Sequence, residues 1–469
     1  MKGSYDIPVS TNVQRRYNRW KFFIPLIYDW LLNHNLYWPS LSCRWGPQLD
    51  ETSNTKKQRL YLTEQTDDAS APNTLIIADS EIVKPRVATE DIRKFNEDER
   101  SPNIKKNKAI IHPGEVNIIR EMPQNNNLLA THSDRPEESL SNLVLIWDID
   151  AQPARHAIPG AEHSIPNLKL IGHTDDAQFA LEISAIEPYV LSGGKDMNVV
   201  LWNVNDHITY LAAASNLGPR THHVPSVFPR GTYRGHTNTV EDVEFCPTSA
   251  QEFCSVGDDS TLILWDARVG PDPVIKVEEA HHEDDIHCVE WNNFDVNYIL
   301  TGSADRSVHM YDRRNLNNGR GQNPVYTFQG HDAAVLCVQW CPEKPSVFGT
   351  SGDDGIVNIW DHEKVGRASS SSAGLREERT PPGLFFRHVG HRQKVVEFQW
   401  NPSDPWTIVS LSNDCRGRGG GTLQMWRMLD IIHEEDGNEE RKMAELNRLR
   451  PWSRGLTTSF IRDLSFSFY

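Results

Sequence analysis

Residues 330–361 read GHDAAVLCVQWCPEKPSVFGTSGDDGIVNIWD. His331 stands 23 positions before Asp354, Thr350 stands four positions before that aspartate, and Trp360 stands six positions after it. Alternating apolar residues between these markers are typical of short β-strands. A buried histidine needs a carboxylate to hold its tautomer, and a hydroxyl and an indole N–H extend the chain of hydrogen bonds. The stretch therefore predicts a strand-rich unit tied together by a buried polar network.

The same unit recurs along the chain. Intervals of 23 positions from a histidine to an aspartate also begin at His173, His236, His282 and His391. Degenerate aromatic ends stand at Met310-Tyr311-Asp312 and Met425-Trp426-Arg427, and His112-Pro113-Gly114 is a weaker first copy. A catalytic Ser-His-Asp triad would not be repeated five times, so nucleophilic catalysis is not expected.

The repeats are similar to those of the WD-repeat β-propeller, in which four strands make each blade. Six copies are visible. A seventh blade is expected from three strand-like runs without a WD signature, at Leu41–Trp45, Arg59–Thr63 and Thr74–Ser80. The predicted fold class is therefore all-β, a seven-bladed WD-repeat β-propeller with an N-terminal α-helix.

Three regions follow from this prediction. Apolar residues at helical spacing between Val13 and His34 predict a helix that packs on one blade. The boundaries are 1–35 for this N-terminal helix, 36–432 for the propeller with insertion loops at 81–108 and 365–385, and 433–469 for an acidic tail with a possible short helix.

Composition limits the classes of partner. The chain of 469 residues carries 48 Lys and Arg against 64 Asp and Glu, a formal charge of −16. Such a balance argues against bulk phosphate binding and favours basic partners, so any nucleic-acid contact is expected to be indirect. No apolar run long enough to span a bilayer exists, and no direct membrane contact is expected. Seven cysteines without framework spacing indicate reduced, mostly buried thiols of the cytosol or nucleus.

Candidate metal and phosphate sites are weak. The run from His281 to His287 contains metal-ligand residue types, but His282 already belongs to the repeat, so a structural role is favoured. The stretch Arg416–Gly421 favours a flexible turn over an anion site, and no phosphate-binding loop is present. We therefore expect no cofactor and no metal.

Acidic residues follow the histidine of several repeats and immediately precede the next strand. These are Glu115, Asp175, Asp176, Glu241 and Asp285. In a propeller they would ring one mouth of the channel and attract an extended peptide rich in Lys and Arg. The alternative is ordinary solvated loop charge.

Three segments together resemble one family of WD-repeat proteins. They are the helix followed by Tyr37–Leu41, the segment His112–Asn117, and Pro381-Pro382 with Leu384–Phe386. They resemble the retinoblastoma-binding, MSI-type histone-binding family, and Phe385–His388 with the Gly-rich insertion at Gly419–Leu423 looks most like the plant FVE type. The likeness runs from about Val13 to Ile432.

The resemblance implies two histone sites. One is a side groove for a basic histone helix, formed by the N-terminal helix and the double-proline loop; its positions here are Leu26, Ile27, Trp30, Leu31, Leu384, Phe385 and Phe386. The other is the acidic channel mouth for a basic histone tail, with Glu115, Asn117, Asp176, Phe179, Glu241, Asp285 and Asp404. Among the departures from the family pattern, His287 replaces an asparagine.

A third implied surface is a Trp-Asp-x-Arg box, which resembles the element that docks WD proteins on the adaptor of cullin-RING ubiquitin ligases. Its residues are Trp265, Asp266 and Arg268, and an ordinary strand end is an equally good interpretation.

The resulting interpretation is a non-catalytic histone-binding adaptor in the nucleus, bound to core histones and to subunits of histone deacetylase or Polycomb-type repressive complexes. For the FVE type, the implied process is repression of floral repressors. The alternatives are a substrate receptor of a cullin-RING ligase and a general scaffold without histone contact.

Overall fold

The chain folds as a seven-bladed β-propeller preceded by a helix, as predicted. The computed structural model describes residues 10–66, 71–87, 92, 95–98, 100–132, 143–175, 179–206, 224–320, 322–365, 381–414, 420–433, 439–450, 453 and 455–465. Neighbouring strands are antiparallel, except at the two short edge pairs β9–β13 and β18–β22 whose bounds follow below.

The strands are numbered along the chain. The sheet without a WD signature consists of β2 (Cys43–Glu51), β3 (Thr55–Glu64), β4 (Thr74–Val83) and β5 (Ile104–Ile111). The next consists of β6 (Ile119–Glu121), β7 (Leu128–His132), β8 (Val144–Asp148), β9 (Leu168–Leu170) and β13 (Ser226–Val227). The third consists of β10 (Leu181–Ile183), β11 (Tyr189–Gly193), β12 (Asn198–Asn203) and β14 (Gly231–Arg234). The seventh blade expected from three unmarked runs is thus confirmed by β2, β3 and β4.

Four further sheets complete the set. One holds β15 (Val240–Cys246), β16 (Ser249–Gly257), β17 (Leu262–Asp266), β18 (Ile275–Glu278) and β22 (Gly319–Arg320). Another holds β19 (Ile286–Trp291), β20 (Tyr298–Ser303), β21 (Ser307–Asp312) and β23 (Tyr326–Gln329). The last two hold β24 (Val335–Trp340), β25 (Val347–Gly352), β26 (Val357–Asp361) and β27 (Leu384–His388), and then β1 (Tyr28–Leu36), β28 (Val395–Trp400), β29 (Thr407–Ser412) and β30 (Gly421–Met428).

The predicted helix over Val13–His34 is wrong in its second half. Helix α1 spans Thr11–Ile27, capped by Ser10, whose Oγ accepts a hydrogen bond from the Val13 N–H at 3.3 Å. The chain then continues directly as β1, which pairs antiparallel with β30. A strand buried on both faces is apolar almost throughout, and its residues therefore also fit a helical spacing. The propeller begins at residue 28 rather than 36.

Three helices follow β30: α2 (Asp430–His433), α3 (Glu439–Leu449) and α4 (Thr458–Leu464). The tail that was predicted to hold one short helix therefore holds more, and its helices contribute Ile431, Met443, Leu446 and Ile461 to a hydrophobic cluster shared with α1.

The chain divides into two compact units. The first unit comprises Met1–Arg59, Asp79–Lys105 and Phe328–Tyr469, and the second comprises Leu60–Ala78 and Lys106–Thr327. The core of the first unit joins α1 to the strands β25 to β30, whereas the second unit has its own apolar clusters between neighbouring sheets.

The cysteines of the described residues are all free thiols, of which Cys43, Cys246, Cys254, Cys288 and Cys341 are buried and Cys337 is half-buried. This agrees with the expected reduced, buried thiols; Cys415 lies outside the described residues. Among the described residues, no helix has the length and apolar character needed to cross a membrane.

Candidate functional site

The repeated polar network is structural. His331 Nδ1 lies 3.0 Å from the Asp354 carboxylate, and its Nε2 lies 2.8 Å from the Thr350 hydroxyl. The Trp360 indole N–H donates to the same hydroxyl at 2.9 Å. His236 makes the equivalent contacts, at 3.0 Å to Asp259 and 2.7 Å to Ser255. Each ring nitrogen is therefore engaged inside a blade, and the network holds strands together without presenting a nucleophile.

The network in the fourth copy uses His281, and the prediction of His282 is wrong. His281 lies 3.0 Å from Asp305 and 2.7 Å from Thr301, so the interval is 24 positions. The extra residue is accommodated because Glu279 and His282 adopt left-handed backbone angles, with φ of 54° and 58°. His282 points to solvent instead.

The last copy also departs from the predicted network. His391 contacts the hydroxyls of Ser410 at 2.8 Å and Thr422 at 3.0 Å, and it has no aspartate partner at these two nitrogens. Asp414, which the spacing assigned to it, instead accepts a hydrogen bond from Arg392 Nε at 2.7 Å.

Part of the predicted acidic mouth forms a compact cluster in the second unit. We define the acidic cluster as Glu241 on β15, Asp258 after β16, Asp285 before β19, and His287 on β19. Ligand atoms of Glu241, Asp258 and His287 all lie within 4.8 Å of one another. Two carboxylates and an imidazole at this spacing suit a positively charged guest.

The cluster carries unrelieved negative charge. Burial, together with the carboxylates of Asp258, Asp242 and Asp285, raises the pKa of Glu241 to about 7, against a smaller opposing effect of Lys195. Burial and Asp285 also raise the pKa of Asp258. A buried cation would relieve this repulsion, because opposite charges favour the ionised form of a carboxylate.

Sequence reasoning missed Asp258. It stands immediately before the network aspartate Asp259 in the turn after β16, and that adjacency was the available signal. Since its neighbours in the cluster come from other strands, only the fold brings them together.

The other residues predicted for the channel mouth have different environments. Glu115 is half-buried, Asn117 is buried and Phe179 is 41% exposed. Asp176 lies outside the described residues. Asp404 belongs to the first unit, where it contacts the Arg427 guanidinium and accepts a hydrogen bond from the Thr407 hydroxyl at 2.8 Å. We therefore withdraw Asp404 from the acidic mouth, because its charge is already neutralised.

The residues predicted for the side groove lie together in the first unit, but most are buried. Ile27 and Phe386 are fully inaccessible, Trp30, Leu384 and Phe385 are nearly so, and Leu26 and Leu31 pack half-buried against the same cluster. Trp30 and Leu31 lie on β1 and not on the helix, which corrects the prediction.

Phe386 is a core residue of its blade. Its ring stacks on Trp426 at a centroid distance of 5.5 Å and meets Tyr28 edge-on at 5.5 Å. It cannot serve as an anchor that a ligand contacts without disturbing the blade, so the predicted pair of anchors is reduced to Phe385. The Lys364 ammonium lies 5.0 Å from the centre of the Phe385 ring.

The chain's own tail covers the edge of β27. The Ser465 hydroxyl donates to the Phe385 carbonyl at 2.8 Å, and the Arg387 N–H donates to the Ser465 carbonyl at 2.8 Å. Ile461 and Leu464 of α4 are buried in the cluster that contains Phe385. The loop residues 366–380, including the predicted acids Glu377 and Glu378, lie outside the described residues.

A buried arginine anchors this tail to the end of α1. Arg450 donates to the carbonyls of Pro25 at 2.9 Å, Tyr28 at 2.8 Å and Asp29 at 3.0 Å. These carbonyls lie where the helix gives way to β1 and lack helical partners. The tail thus stabilises the α1–β1 junction.

The Trp-Asp-x-Arg box ends β17 with an exposed guanidinium. The Arg268 side chain is 54% exposed and forms ion pairs of 2.7 Å with both Asp266 and Glu252. Trp265 is buried and donates to Ser255 at 2.8 Å. The arginine is therefore held in one orientation on the surface.

The fold and these surfaces define a WD-repeat β-propeller that presents peptide-sized charged sites. Four segments match the WD domain, G-beta repeat, at residues 165–203, 228–266, 274–312 and 322–361. Residues 15–84, which include α1 and β1, match the family of the histone-binding protein RBBP4, also described as a component of the CAF1 complex.

The chain is also 57% identical over 454 residues to the WD-40 repeat-containing protein MSI4 of Arabidopsis thaliana. The alignment covers 94% of this chain and 86% of that relative. The chain therefore belongs to the RBBP4/MSI family of histone-binding WD-repeat proteins, which confirms the family resemblance seen in the sequence.

Proposed function

We propose that the protein is a non-catalytic nuclear adaptor that binds core histones, and that the acidic cluster receives a basic histone tail. The observation that carries this is the raised pKa of Glu241 among Asp258, Asp285 and Asp242, a site whose charge a Lys or Arg side chain would neutralise. Membership of a histone-binding family supports the choice of guest.

Charge complementarity makes the expected binding sensitive to salt, because partly exposed charges are screened beyond about 8–10 Å at ordinary ionic strength. Glu241 is the centre of the cluster, and Glu241→Gln removes its charge at nearly constant shape. The matched control is Asp272→Asn, which removes one exposed carboxylate elsewhere in the second unit.

The test is calorimetric titration with an unmodified core-histone tail peptide at low and moderate salt, with a chelator present so that no metal competes. We expect Glu241→Gln to weaken binding several-fold and to reduce its salt dependence, while Asp272→Asn behaves like the unmodified protein. Absence of binding at low salt, or equal affinity of both variants, would remove the acidic cluster from this function.

The finer function extends from the family resemblance. We propose that the adaptor serves histone deacetylase or Polycomb-type complexes in transcriptional repression and, as in the FVE type, in flowering-time control. The test is copurification of tagged protein with deacetylase and Polycomb subunits, together with the flowering time of plants lacking it. Recovery of histones without either complex would leave histone binding and exclude this assignment.

The orientation of Arg268 supports a second candidate function, that of a substrate receptor of a cullin-RING ligase. Its ion pairs with Asp266 and Glu252 hold the guanidinium at the surface. Binding of the ligase adaptor should be lost in Arg268→Ala and retained in Arg314→Ala, whose arginine is paired in the same way with Asp312 in the weaker copy. Equal binding by both variants would reject the box.

A further inference from the structure

Helix α1 has two different faces. Tyr17, Trp20, Ile24 and Ile27 are buried against the first unit. On the opposite side Arg15, Arg19 and Phe22 are exposed. These three residues follow the spacing i, i+4, i+7, which places them in one row along a helix. We call this row the α1 stripe.

The α1 stripe is basic in an otherwise acidic chain. No Asp or Glu occurs between Thr11 and Ile27, although the whole protein has a formal charge of −16. Two other cations of the helix are already engaged: Arg16 donates to the Asp354 carbonyl at 2.7 Å, and Lys21 pairs with Glu97 at 2.8 Å. Within the described part of the chain, neither guanidinium of the stripe has an ion-pair partner.

An aromatic ring extends the stripe by one turn. The side chain of Phe22 is 76% exposed, and it meets the ring of Phe23 edge-on at a centroid distance of 5.2 Å. Covering an aromatic ring of this kind removes a large apolar area from water. A basic row that ends in an uncovered aromatic residue therefore offers both charge and apolar contact.

We propose that the α1 stripe docks an acidic amphipathic segment of a partner protein. Two carboxylates of the segment pair with Arg15 and Arg19, and an apolar side chain one turn further covers Phe22. Guanidinium groups suit carboxylates because both are planar and form paired hydrogen bonds. The inference goes beyond histone binding, since the occupant has the opposite charge to a histone tail and the acidic cluster plays no part in it.

A nucleic acid is the less suitable occupant. Phosphates would satisfy Arg15 and Arg19 but leave Phe22 uncovered, and a protein of charge −16 repels a polyanion at longer range. An acidic protein segment satisfies both features of the stripe.

The experiment uses the full chain and a fluorescent helical peptide with two glutamates one turn apart and a leucine one turn further on. Anisotropy titrations compare the unmodified protein with Arg15→Glu/Arg19→Glu and with Phe22→Ala. Matched controls are Lys105→Glu/Arg234→Glu, which makes the same change of charge at exposed strand positions, and Phe294→Ala, which truncates another exposed ring. Melting curves establish that all variants are folded.

We expect at least a tenfold loss of affinity in the charge-reversed stripe, a several-fold loss in Phe22→Ala, and no change in the controls. A peptide with lysines in place of the glutamates should bind the charge-reversed stripe better than the unmodified protein. Absence of peptide binding, or equal loss in the controls, would overturn the proposal. Binding of duplex DNA that depends on Arg15 and Arg19 but not on Phe22 would replace the acidic segment by a nucleic acid.

Discussion

At the scale of single residues, the choice between His281 and His282 shows what a spacing rule can and cannot determine. The fixed interval of 23 positions selects His282, but His281 carries the network. The chain inserts one residue by means of two left-handed backbone positions, Glu279 and His282. A one-residue insertion in a turn is invisible to a spacing rule, because either histidine fits the pattern of residue types.

This choice predicts different effects for two neighbouring substitutions. His281→Asn should lower the free energy of unfolding by about 1–3 kcal/mol, because the shorter side chain cannot contact Asp305 and Thr301 together. His282→Asn should have almost no effect, since the side chain is exposed and asparagine tolerates a φ of 58°. Chemical denaturation of both variants is the measurement, and equal midpoints would reject the network.

The acidic cluster predicts a pH-dependent affinity for a basic tail. Burial and neighbouring carboxylates raise the pKa of Glu241 to about 7, so the folded free protein holds this proton until the pH rises through that value. A cationic guest prefers the ionised form, and affinity should increase by up to about tenfold from pH 6 to pH 8. The charged and titratable neighbours are Asp242, Asp258, Asp285, Lys195 and His287.

The measurement is titration of a histidine-free tail peptide across this range, and Glu241→Gln should flatten the profile. His287→Asn, measured in parallel, separates the imidazole from the carboxyl group. The free protein supplies an independent sign: a carboxyl group whose pKa is higher folded than unfolded contributes stability that is lost as the pH rises through about 7. A pH profile unchanged by Glu241→Gln would contradict the assignment.

At the scale of elements, the junction of α1 and β1 was the least predictable part of the fold. Trp20 and Ile27 lie on the helix and Trp30 and Leu31 on the strand, yet all four continue a single apolar rhythm. The helix ends at Ile27 because β1 completes a sheet with β30, and Arg450 satisfies carbonyls at that point. Both causes are hundreds of residues away in the chain, and no local pattern contains them.

The tail elements predict that the side groove is closed until α4 is displaced. Deleting residues 456–469 removes Ile461 and Leu464 from the cluster around Phe385 and frees the edge of β27. We expect a lower melting temperature and a stronger interaction with a basic histone helix. Ser465→Ala is the control, because it removes the side-chain hydrogen bond to Phe385 while keeping the buried leucine.

Fluorescence titration with a core-histone helix peptide checks this expectation. A truncated protein that remains folded and binds no better than the full chain would show that α4 does not limit the groove. Phe385→Ala in the truncated protein should then abolish any gain, since Phe385 is the one predicted aromatic anchor that is not in the centre of its blade.

At the scale of the whole molecule, the blades could be predicted further than the sites. Each WD blade is marked by a local signal, such as His331, Thr350, Asp354 and Trp360 within one stretch of chain. A binding site has no such signal, since Glu241 and His287 acquire their meaning from strands on different sheets. The same fold also removed a candidate, because Asp404 became the partner of Arg427.

The last prediction concerns how the circle of blades closes. Strand β1 comes from the start of the propeller and pairs along its length with β30, which comes from its end. Asp29 on β1 also forms an ion pair of 3.1 Å with Arg427 on β30, and both side chains are buried. Deleting residues 1–36 would therefore expose a long strand edge and leave Arg427 without a buried partner, which is costly.

We expect this deletion to abolish cooperative unfolding and to cause aggregation, whereas deletion of residues 1–10 should leave a sharp melting transition. Adding the peptide 11–36 in trans should restore soluble protein if strand pairing is the cause, because the peptide supplies both α1 and β1. Differential scanning calorimetry and size-exclusion chromatography provide the measurements. A soluble, cooperatively folding chain without residues 1–36 would show that the blades close without β1, and that the N-terminal segment serves binding alone.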